Sequence, residues 1–115
     1  MEIIKEKTIT GVDIEEFGAF LVSVITKTAI RDIGRQYVLQ IVDMQLENGR
    51  VECSVCNPNT STPFVYVVLT YYQTRGSIMC RAETHDWLNF IDKILSFSAT
   101  RRITNKLLTQ LFEQL

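Results

Sequence analysis

Proline and glycine are scarce, at two and five residues, and histidine and tryptophan occur once each. So little proline and glycine excludes collagen-like and low-complexity chains. No apolar run approaches the ~20 residues that a bilayer crossing needs. The first residues, Met1-Glu2-Ile3-Ile4-Lys5-Glu6-Lys7, alternate charge with apolar pairs and contain no secretory h-region, so a cytosolic location is expected. An excess of charge is missing too. Twelve Lys and Arg face thirteen Asp and Glu, a formal net charge of -1. A dedicated binder of phosphate backbones rests on surplus positive charge, so nucleic acid is not the expected partner, and no membrane association is expected. Gly11, Gly18, Gly34, Gly49 and Gly76 stand singly, so no glycine-rich phosphate loop exists.

What is present is an ordinary globular composition, 46% hydrophobic and 22% charged over 115 residues. That length predicts one domain, residues 1–115, with a single core.

Residues 2–10 read as an edge strand, because Lys and Glu punctuate its alternation. Asp13 then caps a helix, with Glu15 and Glu16 in the first turn. Ile14, Phe17, Leu21, Val24 and Ile25 share one face, and the pattern predicts a helix over 14–33 ended by Gly34. Phe20 and Ile30 fall off that stripe. Four strands follow: 35–47, 51–56, 64–72 and 78–82. Asn48-Gly49 marks a tight hairpin between the first two. The strand from Phe64 to Tyr72 is apolar on both sides, the mark of a central strand covered on both faces. Two C-terminal helices close the chain. One is capped by Thr84, with a stripe of Trp87, Leu88, Ile91, Ile94 and Leu95. The other is capped by Thr100, with a stripe of Ile103, Leu107, Leu108, Leu111 and Leu115.

The expected fold is therefore α+β. An antiparallel four- to five-stranded sheet packs on one long N-terminal helix, in the order β-α-β-β-β-β-α-α. The first six elements are similar in order to cystatin-like domains, and without the first strand the order resembles RWD-like domains. The cystatin Gln-x-Val-x-Gly hairpin would fall at Gln45-Leu46-Glu47-Asn48-Gly49, and the residues differ. The RWD Tyr-Pro-x-x-x-Pro signature is also absent. Neither resemblance carries an activity here.

Chemistry has few footholds. His85 opens a predicted helix beside Asp86, with no motif supplying a nucleophile and an orienting third group. Cys53-Ser54-Val55-Cys56 is a C-x-x-C, and Cys80 and His85 would complete a Cys3His zinc set. Residues three apart on a strand point to opposite faces, which opposes that set. In a reducing compartment, thiols more often serve as small buried hydrophobes. The chain is expected to be no enzyme and to need no cofactor.

The outer sheet face carries Phe64, Tyr66, Val68 and Tyr72, with Met79 on the neighbouring strand. Either the C-terminal helices fold over it or another chain does. Tyrosine-rich apolar patches are typical of interfaces, and two-fold dimers are the commonest assembly. Arg101 and Arg102 open the last predicted helix against its dipole, which points to solvation or to an acidic protein partner. The function expected is a non-catalytic protein–protein interaction module (adaptor, inhibitor or assembly component) that forms a homodimer. The alternative is a small regulator that binds zinc or contacts nucleic acid.

Overall fold

The computed structural model describes residues 3–60, 62–85 and 97–115. The elements are β1 (Ile4–Ile9), α1 (Ile14–Lys27), β2 (Ala29–Asp32), β3 (Arg35–Gln45), β4 (Arg50–Cys56), β5 (Pro63–Thr74), β6 (Ser77–His85) and α2 (Phe97–Glu113). The strands form one antiparallel curled sheet in the order β1-β6-β5-β4-β3-β2. Thus β2 to β6 make a meander, and β1 returns to close its far edge. The α+β class is as expected.

The order of elements differs from the expectation at two places. The first is the end of α1. Its start is as read, with the Asp13 carboxylate accepting from the Glu15 amide at 3.1 Å. The helix stops at Lys27, and Ala29–Asp32 is a strand rather than a last helical turn. Thr26, Thr28 and Ile30 are β-branched and poor helix residues. The Thr28 hydroxyl donates to the Val24 carbonyl at 2.7 Å, closing the last turn. Gly34 then serves a hairpin turn, with Ile33 at φ 49° and Gly34 at φ 75°. The sheet gains a sixth strand, so the similarity in order to cystatin-like domains does not extend to the fold.

The second is the C-terminus. Thr84, expected to cap a helix, is a buried residue of β6. The helix expected around Trp87, Leu88, Ile91, Ile94 and Leu95 lies outside the described residues. The last helix begins earlier than its expected Thr100 cap. Thr100 is buried in its interior and takes a 2.8 Å hydrogen bond from the Thr104 hydroxyl.

Both described helices sit on one face of the sheet. That face carries Val51, Cys53, Val55, Val65, Val67, Leu69, Cys80 and Ala82, all fully buried. Phe17 of α1 meets Tyr71 edge-on at 5.1 Å. α2 lays Ile103, Leu107, Leu108 and Leu111 into the same core. It is tied to both edges of the sheet. Lys7 of β1 donates to the Phe112 carbonyl at 2.7 Å, and Asp32 of β2 receives Arg102 and Lys106. The two edge strands of the curled sheet thus reach the same helix from opposite sides. Cover of the outer face by the C-terminal helices, one of the two alternatives expected, is corrected for α2, which joins α1 inside.

The Asn48-Gly49 hairpin exists but is not the two-residue turn expected. A short 3-10 turn, Leu46–Asn48, leads into Gly49, and only Gly49 is left-handed, at φ 64°. Asn48 is therefore not a positive-φ position. A Cβ on Gly49 would fall onto the Tyr71 carbonyl oxygen, so glycine is required twice over.

Candidate interaction surfaces

The convex face of the sheet is set by the alternation of β5 and β6. Tyr66, Val68, Thr70 and Tyr72 stand beside Met79, Arg81, Glu83 and His85 through the pairs Tyr66–His85, Val68–Glu83, Thr70–Arg81 and Tyr72–Met79. Tyr72 is 57% exposed, while Tyr66 and Met79 are half-buried. Val68 is buried although no described helix lies over it. It is flanked in register by Glu52 and Glu83. Those carboxylates pair with Arg50 and Arg81 at 3.8 and 3.7 Å, so the valine lies in register between two ion pairs. Arg81 also reaches Glu6 at 3.3 Å. The face is an aromatic and aliphatic strip inside a rim of ion pairs.

Phe64 does not belong to that strip. The register between β4 and β5 shifts at Val55/Cys56, and this bulge re-aims Phe64. It packs against the core, its ring 6.0 Å from that of Tyr37. Of the residues expected on the outer face, the structure gathers Tyr66, Val68, Tyr72 and Met79, and removes Phe64.

The arginine pair separates as well. Arg102 is engaged with Asp32 through two hydrogen bonds, 2.6 Å to Oδ2 and 3.3 Å to Oδ1, and Lys106 adds a third at 2.8 Å. These bonds, led by that from Arg102, hold the Asp32 carboxyl down at about 2. Arg102 thus has a structural reason within the fold. Arg101 is exposed and has no ion-pair partner among the described residues.

The thiols and His85 do not converge. Cys53 is fully buried on the concave side, and burial pushes its thiol up to about 12. Cys80 is two strands away, roughly 10 Å in sheet spacing, and burial pushes it likewise to about 12. Cys56 turns the other way, its Sγ 3.5 Å from Gln40 Oε1, and burial raises its thiol too. His85 is exposed and lies 3.8 Å from Glu83. Among the described residues, no three His, Cys, Asp or Glu side chains stand together as a metal set.

One concavity was not foreseen. It is an open groove of about 600 Å³ between the first turns of α1, the Leu46–Gly49 link and the end of β5. Ile14, Gly18, Ala19, Leu46 and Tyr72 give it an apolar lining, and Glu15 and Glu47 flank it. Its floor depends on Gly18. A Cβ there would stand 2.5 Å from the Tyr71 hydroxyl. That hydroxyl donates to the Leu46 carbonyl at 3.2 Å and fixes the link against the sheet. The second feature missed is the β2–β3 tip, where Ile33 is 86% exposed. Ile33-Gly34 between Asp32 and Arg35 is the turn signal that the sequence offers, although by itself it also suits a helix ending.

No protein-family model matches the sequence, and no curated protein matches it. Several solved structures share the fold. Ara h 8.0201 gives a TM-score of 0.61 at 10% identity, covering 99% of this chain and 94% of that one. An Aha1 dimer from Colwellia psychrerythraea gives 0.58 at 10% identity, over 98% and 92%. An uncharacterized protein from Bacillus thuringiensis gives 0.57 at 10% identity, over 96% of each chain. At such identity the likeness is one of fold. It agrees with the α+β class and the curled antiparallel sheet.

Proposed function

We propose that the chain is a non-catalytic protein–protein interaction module acting in the cytosol as a homodimer, with its convex sheet face offered to another chain. The observation that carries this reading is the strip of Tyr66, Tyr72 and Met79 on a face that neither described helix covers. Tyrosine and methionine supply large contact area, and the surrounding ion pairs form a polar rim, the usual anatomy of an interface. A dimer among the structures of the same fold supports the assembly state. No described helix is long and apolar enough to cross a membrane.

The test has two parts. Sedimentation equilibrium at tens of micromolar should give twice the 13.2 kDa chain mass. A clean monomer at every concentration would remove the homodimer. For the face itself, wild type and a Tyr66→Asp/Met79→Asp variant of equal thermal stability serve as baits in native extract. A partner kept by wild type and lost by the variant supports the reading; retention profiles that do not differ overturn it.

A further inference from the structure

Ile33 breaks a local rule. It is β-branched yet left-handed, at φ 49°, and its side chain is 86% exposed. Asparagine or glycine would fill that turn without strain and without presenting an apolar surface. Such outliers persist where the surroundings or a function require them. Exposed arginines stand on each side of the tip, Arg31 two residues before Ile33 and Arg35 two after. The one carboxylate of the tip, Asp32, is already buried under Arg102 and Lys106. The tip is an apolar knob in a basic collar.

The groove beside Gly18 is its complement. It is apolar within, it is flanked by Glu15 and Glu47, and no Lys or Arg lines it. Neither glutamate has an ion-pair partner among the described residues. Knob and groove lie at opposite ends of β3. Its eleven residues span about 36 Å at strand rise, in a molecule 46 Å long. Beyond Val38, β3 has a strand neighbour on one side only, because β2 pairs no further than Ala29–Val38. Val42 and Met44, 54% and 51% exposed, fall on that stretch.

We infer that the second copy of this chain is the occupant of the groove. Two molecules lie antiparallel along β3, and each places Ile33 in the other's groove, with Arg31 and Arg35 against Glu15 and Glu47. A two-fold interface requires that if one residue meets another, the reverse contact forms too. Two complementary features separated by the length of one strand satisfy that when the strands run antiparallel. The inference rests on the homodimer reading and assigns its surface. The convex strip is left free for a different protein, joined to the groove at Tyr72.

The experiment is sedimentation equilibrium with the wild type and four variants. Ile33→Asn should weaken the dimer about tenfold or more, the scale of losing one buried aliphatic side chain. Its thermal midpoint should hold or rise, since asparagine tolerates the left-handed turn, so a folding defect is separable. Reversing the collar with Arg31→Glu/Arg35→Glu should weaken the dimer about tenfold, and Glu15→Lys/Glu47→Lys likewise. The chain carrying all four reversals should recover to within about threefold of wild type. A dimer indifferent to Ile33→Asn, or reversals that fail to rescue one another, overturns this surface while leaving the homodimer standing. A wild-type monomer overturns both. A ladder of species beyond the dimer overturns the two-fold arrangement.

Discussion

Arg102 forks onto Asp32 across seventy residues of sequence, one nitrogen 2.6 Å from Oδ2 and Nε 3.3 Å from Oδ1. The pair joins the edge strand β2 to α2. With Lys7 holding the other edge, it keeps the sheet wrapped around that helix.

Acid should loosen this clasp. The folded carboxyl, at about 2, lies below its ordinary value of 3.8. The clasp therefore contributes fully above pH ~4 and fades as the pH falls through about 2. Asp32→Asn should cost about 1–2 kcal/mol at pH 7, the scale of charged hydrogen bonds with half-exposed cations. Urea midpoints of wild type and variant at pH 7 and at pH 2 check it. The gap should shrink at pH 2, and an equal gap at both would refute the linkage.

Gly18 should resist the usual helix rule. Glycine to alanine inside a helix normally stabilises by up to ~1 kcal/mol. Here the new methyl would meet the Tyr71 hydroxyl at 2.5 Å, so Gly18→Ala should destabilise. In a Tyr71→Phe background the obstacle is gone and only Leu46, at 3.4 Å, remains in contact. The same substitution should then be neutral or stabilising. A double-mutant cycle of chemical denaturation reads the change of sign, and two additive costs would count against the close contact.

Lys7 should act as a side-chain cap for the end of α2. Its ammonium meets the Phe112 carbonyl at 2.7 Å, near the negative end of the helix dipole. Lys7→Met keeps the stem and removes the charge. A loss of about 0.5–1 kcal/mol is expected. Amide exchange should quicken in the last turn of α2 and stay unchanged in α1. Uniform quickening would instead mean a global effect.

The three thiols should be silent in the native protein. All are buried, and burial raises each above the ordinary cysteine range, so thiolate is scarce at neutral pH. A chromogenic disulfide reagent at pH 7.5 should label less than one thiol per chain over minutes, and all three in denaturant. Rapid native labelling of Cys53 or Cys80 would contradict the packing.

Local chemistry made part of this molecule legible in the sequence. Asp13 with Glu15 and Glu16 placed the start of α1, and charged alternation marked β1 as an edge. The two-sided apolar run put β5 at the middle of a meander. Each depends on neighbours within a few residues, where capping and side-chain period dominate. The candidate strip was legible for the same reason, since Tyr66, Val68 and Tyr72 share one side of a strand by alternation alone.

Long-range packing decided the rest. The pattern around Ile30 suits a helix as well as a strand, and pairing with β3 settles it as β2. A single bulge turns Phe64 from the outer face to the core, and no alternation rule reveals a bulge. Arg102 looked unexplained until Asp32 came to it from another element. The side of the sheet on which α2 docks follows from its being tied to both edge strands at once. The sequence by itself determined the start of α1, the edge character of β1 and the central place of β5, because those rest on near neighbours. Which faces meet was decided only in three dimensions, because burial rewards contacts between residues that the chain keeps far apart.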